Sequence, residues 1–198
     1  MPPVTPTKGN LMAVKRSLTL AEMGYDLMDQ KRNILVRELM GLIDRATDIQ
    51  SRIDMTFRAA YASLQMANIA LGICAELAAS TPVDDSVVIR ARSVMGVEIP
   101  LVTAGGEAPL TYGLSETDTA YDDAYVNFNK VKQLIRELSE VETSVYRLAV
   151  AVKKTARRVG ALENIILPDL TATVARITEA LEEKEREEFV RLKVIKRS

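Results

Sequence analysis

The sequence predicts a mainly α fold: a long antiparallel two-helix coiled coil with a small β-hairpin and loop insert in the middle. Three observations carry that prediction. Apolar residues keep a three-four rhythm from Leu11 to Leu77, and a second such rhythm begins at Val131 and reaches Leu181. Between them lies a stretch of short β-branched runs with glycines and prolines, different in texture from both flanks. The closing stretch Lys153–Arg197 combines an apolar stripe with many charges of both signs. Such a helix cannot be enclosed on all sides and needs one partner helix along one seam.

The totals agree and exclude several functions. Among 198 residues there are nine glycines, seven prolines, six tyrosines, three phenylalanines and no tryptophan, a mix that favours long helices over a compact mixed fold. There is no histidine, which removes Ser-His and Cys-His nucleophile pairs, histidine metal ligands and histidine pH switches. The single cysteine, Cys74, has no internal disulfide partner, fits a reducing compartment and reads as a small buried residue. A formal net charge of −1 points to neither nucleic acid nor an anionic membrane. The opening MPPVTPTKGN has no apolar core of a secretory signal. The most apolar run, Met66 to Ala79, is fourteen residues with Glu76 inside it, short of the ~20 a membrane span needs. No glycine-rich phosphate loop, metal-ligand cluster or buried-carboxylate pair is visible, so no cofactor and no catalysis by the chain itself are expected.

Pro2, Pro3 and Pro6 delay the first helix to Thr7, and either Thr7 or Asn10 can cap it. From Leu11 the seam reads Leu11, Val14, Leu18, Ala21, Tyr25, Met28, Arg32, Leu35, Leu39, Leu42, Ala46, Ile49 and Ile53, and continues to Leu77. Seventeen of its twenty a and d positions are apolar, the exceptions being Arg32, Thr56 and Ser63. Holding a period of 3.5 over that distance argues a coiled-coil seam on a helix ~105 Å long. Arg32 either fixes register or snorkels. Past Thr56 the seam turns small, at Ala60, Ser63, Ala67 and Ala70, which permits close helix approach or a third packed element. Met28, Met40 and Met55 read as packing.

The first helix is expected to stop at Ser80-Thr81-Pro82. Ser86–Arg92 and Val97–Val102, with Met95-Gly96 between them, read as a hairpin, followed by a loop through Gly105-Gly106 and Pro109. Two strands alone are marginal in water, so the hairpin should lean on the helices or on another protein. Helix resumes near Ser115 or Thr117. Its seam runs Val131, Leu134, Leu138, Val141, Val145, Leu148, Val152, Val159, Leu162 and Ile166, with Thr155 and Asp169 off-beat. After Pro168 the phase shifts to Leu170, Val174, Ile177 and Leu181, a stutter with a slight bend at the proline. The divisions expected are 1–80, 81–114 and 115–198 within one elongated domain, with both termini at one end.

Several motifs then resemble a known family. Pro6-Thr7-Lys8 with Leu11, Gly24-Tyr25-Asp26-Leu27-Met28 followed by Lys31-Arg32 and Leu35, and Met95-Gly96-Val97 with Ile99-Pro100 resemble segments of the D subunit of the V-type/A-type rotary ATPases, the central-stalk axle. The densest likeness is Thr155, Arg157-Arg158-Val159, Ala161-Leu162-Glu163, Ile166, Pro168, Leu181, Glu185-Arg186, Glu188 and Arg191-Leu192-Lys193. Gly160 departs from the asparagine usual there. The resemblance implies a non-catalytic axle that couples ATP hydrolysis or synthesis to rotation of a membrane rotor moving protons or sodium ions. Its implied partners are the catalytic A and regulatory B subunits, the F subunit of the stalk and the C/d socket subunit above the rotor ring. It implies a place on the cytoplasmic face, with no nucleic acid and no membrane insertion.

Lys8, Lys15, Arg16, Lys153, Lys154, Arg157, Arg158, Arg186, Arg191 and Lys193 are the candidate contacts with the catalytic ring, against a plain reading as solvated helix faces. A rotor must slide past its ring, so exposed and individually weak charged contacts suit it. Glu182, Glu183, Glu185, Glu187 and Glu188 interleave with the terminal cations, which counts against nucleic acid. Val87, Ile89, Val97 and Ile99 on the hairpin are the candidate contacts with the stalk partner. The alternative reading is a prefoldin-like coiled-coil holdase or structural scaffold, whose helices are much shorter. A curved membrane-binding helical dimer would need a basic concave face, which the mixed charges do not supply.

Overall fold

The structure, a computed structural model, describes residues 5–73, 79, 86–104 and 117–197. Its elements in order are α1 (Lys8–Leu71), β1 (Val87–Val94), β2 (Val97–Ala104), α2 (Thr119–Ala161), a five-residue π turn (Leu162–Ile166) and α3 (Leu167–Arg197). The chain forms two compact units. One holds the residues up to Ile34 together with those from Val152 onward; the other is Leu35–Ala151. Among the described residues no helix is long and apolar enough to cross a membrane.

Thr7 is the N-cap of α1: its Oγ1 accepts the Asn10 N–H at 3.2 Å, which satisfies one of the free donors of the first turn. The helix ends at Leu71, before the expected Ser80-Thr81-Pro82. Gly72 there adopts φ +80° and donates to the Asn68 carbonyl at 3.1 Å, a left-handed cap that glycine tolerates and that stops the ladder. Cys74, Leu77, the Ser80-Thr81-Pro82 stop, Gly105-Gly106, Pro109 and Ser115 lie outside the described residues. The second long helix starts at Thr119, with Asp118 Oδ1 accepting the Thr119 N–H at 2.7 Å.

The predicted seam is the buried one. Every a and d position from Leu11 to Ala67 is buried or half-buried, while Ala70 is exposed. In the unit Leu35–Ala151, α1 and α2 run antiparallel. Ile49 and Ile53 pack with Leu134 and Val141, and Leu42, Ala46, Phe57, Leu138 and Val145 close around them. Where the seam turns small, Ala67 meets the ring of Tyr121, so an aromatic of α2 fills the space the alanine leaves. The three polar seam residues each find a local answer. Ser63 Oγ donates to the Ala59 carbonyl and accepts the Asn127 amide at 3.2 Å from α2. Thr56 Oγ1 donates to the Arg52 carbonyl at 2.7 Å. In the other unit Arg32 reaches outward to Asp29, one turn back on its own helix.

β1 and β2 pair antiparallel from Val87↔Ala104 to Val94↔Val97 around the two-residue turn Met95-Gly96. Both turn residues have positive φ, 50° and 77°, as a type I′ turn requires. The hairpin leans on the helices of its own unit. Glu140 Oε2 accepts the Val102 N–H at 2.8 Å, Arg147 donates to the Glu98 carbonyl at 3.1 Å, and Arg92 pairs with Glu38 at 3.5 Å. Ladder alternation explains the pattern: Glu98, Pro100 and Val102 point their backbone groups off the outer edge of β2, toward α2, and Pro100 has no N–H to leave unpaired there.

One expectation for the last helix is corrected. Val159 is buried and Leu162 half-buried, but Ile166, the expected next seam residue, is exposed; Leu167 and Leu170 take the seam instead. The phase change is made by the π turn ahead of Pro168, where the Leu167 N–H donates to the Leu162 carbonyl five residues back. A π turn absorbs one extra residue, so the step from Leu162 to the next seam residue is five, and the three-four rhythm resumes through Val174, Ile177 and Leu181.

Two outcomes check this architecture. Leu148→Ala, at a fully buried seam position, should cost about 2–5 kcal/mol in urea unfolding, whereas exposed Tyr146→Ala should stay within about 0.5 kcal/mol. Met95→Asn relieves a non-glycine left-handed residue and should stabilise the hairpin by about 0.5–1 kcal/mol, read as slower amide exchange at Arg92 and Leu101.

Candidate functional site

Four charged or apolar surfaces emerge from the residues singled out by sequence, and the structure treats them differently. At the chain ends, Lys8 Nζ on the first turn of α1 meets Glu185 Oε1 on α3 at 2.9 Å, so the two ends of the chain lie side by side in one unit. The Glu185 carboxylate, with Glu188 adding to its field, raises the Lys8 pKa above the usual lysine value. Lys15 and Arg16 are exposed about two turns further along α1.

Three cations of α3 are engaged within their own helix. Arg186 reaches Glu183 at 3.3 Å and Glu182 at 3.6 Å, Arg191 reaches Glu187 at 3.7 Å, and Lys193 Nζ sits 5.9 Å from the centroid of the Phe189 ring. These are exposed i,i+3 and i,i+4 pairs, weak individually and screened by salt. Sequence reasoning singled out the cations here and missed the apolar residues beside them. Phe189, Val190, Leu192, Val194 and Ile195 are all exposed. The signal was available: Pro6 stops α1 from extending further back, while α3 runs on past the residue opposite Lys8, so its last turns have no partner helix among the described residues.

Lys153, Lys154, Arg157 and Arg158 form two i,i+4 pairs of cations on exposed faces of α2, and no carboxylate partner holds any of them among the described residues. Just beyond them is the π turn. There the Asn164 side-chain amide donates to the Gly160 carbonyl at 3.0 Å, a donor supplied where the α ladder is interrupted. A Cβ on Gly160 would meet only Asn164 Nδ2, at 3.9 Å, so packing does not demand glycine at that position.

On the hairpin the register divides the four candidates between two faces. Val87 and Ile89 share one face with Val102, while Val97 and Ile99 lie on the other with Arg92 and Val94. Ile99 is only 3% exposed and Val97 half-buried; Ile89 is 71% exposed and Val87 also open. Elsewhere on the same unit, Phe57, Tyr61 and Phe128 form a stacked and edge-to-face aromatic group, with centroids 5.8 and 5.6 Å apart and Tyr61 largely exposed. Sequence reasoning did not single out these rings, since their positions flank the seam rather than occupy it.

A family model described as the ATP synthase D subunit matches residues 10–197, which takes in both long helices and the hairpin. The chain belongs to the ATP synthase D-subunit family. Among its relatives, the V-type ATP synthase D subunit of Thermotoga neapolitana is 45% identical over 196 residues, covering 98% of this chain and 97% of its own. The A-type ATP synthase D subunit of Thermococcus sibiricus is 35% identical over 98% of this chain and 93% of its own length. That of Pyrococcus furiosus is 34% identical with the same coverage of each chain. As a member of this family, the chain is a central-stalk subunit of a V/A-type ATPase.

The Lys8–Glu185 pair makes a pH-dependent contribution with a definite sign. Because the folded-state pKa of Lys8 is raised, its stabilisation is fully present at neutral pH and is lost as pH rises through the folded value. The melting-temperature difference between wild type and Lys8→Met should therefore be small but measurable at pH 7 and vanish once the pH has risen past the raised Lys8 value.

Proposed function

We propose that this D subunit is a non-catalytic rotor axle, whose unit holding both chain ends enters the ring of catalytic A and regulatory B subunits. The unit carrying the hairpin meets the F subunit and the socket subunit of the stalk, and the assembly sits on the cytoplasmic face of its membrane. The observation that carries this reading is the extent of the family match, residues 10–197, so that both helices and the hairpin are accounted for together and not a coiled-coil pattern alone. Ring contact suits the unpaired cations Lys153, Lys154, Arg157 and Arg158 best, because α3 already neutralises Arg186 and Arg191 internally. The exposed apolar turn Phe189–Ile195 suits a sleeve at the end of the axle. It offers area without directional bonds, so it can turn in place. On the hairpin, Val87, Ile89 and the outer edge of β1 remain available to the stalk partner. Ile99 supports the hairpin from within.

The test is reconstitution with the A and B subunits and the small stalk partner. The wild-type chain should co-assemble and sustain ATP turnover. Replacing Lys153, Lys154, Arg157 and Arg158 together by glutamine should leave the melting temperature within a few degrees while lowering turnover about tenfold, the sum of several weak exposed pairs. A chain that neither assembles nor alters turnover, yet suppresses aggregation of unfolded clients, would replace the axle with the holdase.

A further inference from the structure

Among the described residues Met95 is the only non-glycine residue with a positive φ, at 50°. The first position of a type I′ turn favours asparagine, aspartate or glycine, because Cβ crowds the following carbonyl oxygen there and only a short polar side chain compensates locally. The Met95 side chain stays 44% exposed, so burial within the chain offsets little of that strain. Gly96 beside it has no side chain, and a Cβ there would meet nothing within 4 Å. The neighbours Ser93 and Glu98 are exposed and polar. Met95 therefore stands at the hairpin tip as a lone apolar knob. A strained residue kept without an internal return points to a contact made with something outside the chain.

The contacts of β2 with α2 set the direction of that tip. Arg147 holds the Glu98 carbonyl, and Glu140 holds the Val102 N–H. Four strand residues span about 13 Å and seven helical residues about 10 Å, so β2 lies along α2 and runs against it. The turn precedes Glu98 and stands beyond Arg147, toward the carboxyl end of α2. On the other strand Arg92, opposite Ile99 in the ladder, pairs with Glu38 of α1. Ile99 itself is buried. With an anchor on each strand just behind it and a buried side chain between them, the tip is held in one direction.

We propose that Met95 is a contact knob that enters an apolar cup on the rim of the catalytic ring, while the body of the hairpin stays with the stalk partner. The inference rests on the axle reading, in which the chain beyond Ala151 enters the ring, so a tip directed toward the carboxyl end of α2 faces the rim. It adds to that reading a single residue and its partner surface. Methionine suits the task because its side chain is unbranched and polarizable, and adapts to cups of slightly different shape. A turning axle presents the same knob to successive copies of one rim in different states. Asparagine would fit the turn better and the cup worse, and a local rule broken in this way marks a position kept for function.

Three variants test this, each assembled with the A and B subunits and the small stalk partner. Met95→Asn should slow amide exchange in the hairpin of the free chain, yet lower ATP turnover about threefold, short of the roughly tenfold that full burial of one methionine carries. Met95→Leu, apolar in the same strained position, should keep at least about half of the wild-type turnover. In a chain whose Cys74 is replaced by serine, Met95→Cys carrying a benzophenone should cross-link to the A or B subunit on illumination. Wild-type turnover in Met95→Asn, an equal loss in the asparagine and leucine variants, or cross-linking to the small stalk partner alone or to nothing would overturn the proposal. If the asparagine variant loses its hairpin, the cross-link decides. Failure of the wild-type chain itself to assemble would bring down the axle reading, a result distinct from a working wild type beside working variants.

Discussion

Neither long helix of this chain can bury its apolar stripe alone, and the structure depends on that shortage. The a and d side chains of α1 find their cover only on the returning helices, and each fully buried leucine or isoleucine contributes about 1.5–3 kcal/mol by leaving water. Leu35, Ile49, Val141, Leu148, Val159 and Ile177 are the side chains most completely enclosed. Because cover comes along one stripe only, the opposite faces stay exposed, with apolar side chains such as Leu20, Leu27 and Ile69 among their polar ones, which leaves room for contact surfaces outside the seam. The polar seam residues do not weaken this arrangement, since Ser63, Thr56 and Arg32 satisfy their polar groups on their own helix or through one bridging amide.

The seam also explains why the π turn exists where it does. Downstream of Leu162 the apolar residues are out of phase by one position, and a helix cannot shift its phase without taking up or losing a residue. Pro168, two residues after Ile166, has no N–H to give to the ladder, so a regular α turn across that point was already incomplete. The widened turn absorbs the phase error and the missing donor together, with the Asn164 amide capping the Gly160 carbonyl. Ile166 leaves the seam for the surface as a geometric consequence.

The hairpin is too small to stand alone and borrows its stability from side chains of its own unit. Glu140 and Arg147 on α2 hold the backbone edge of β2, and Ile99 is pressed inward. That fixes which surface is left over. β1, with every side chain from Val87 to Ser93 exposed, is the strand whose outer edge has no partner strand among the described residues. Two kinds of cation are likewise separated by their surroundings. Arg186 and Arg191 are satisfied by glutamates a turn away, whereas the four cations between Lys153 and Arg158 have no such carboxylate among the described residues.

The seam positions from Leu11 to Ala67, the hairpin with its turn at Met95-Gly96, and the family itself were legible in the amino-acid order. Heptad periodicity, β-branching and short motifs are local properties that a sequence displays directly. The stop at Leu71 was harder to see, because Gly72 caps the helix while the apolar rhythm continues beyond it. Tertiary structure alone decided how the one-residue phase error is absorbed, since a bend, a stutter and a π turn fit the same letters and differ only in which backbone donor reaches which carbonyl. It alone decided which hairpin face is covered, because register assigns Ile89 and Ile99 to opposite sides and the helices choose between them. It also separated satisfied cations from free ones, because a charge is spent or available according to the side chains that reach it, and reach is a property of three dimensions.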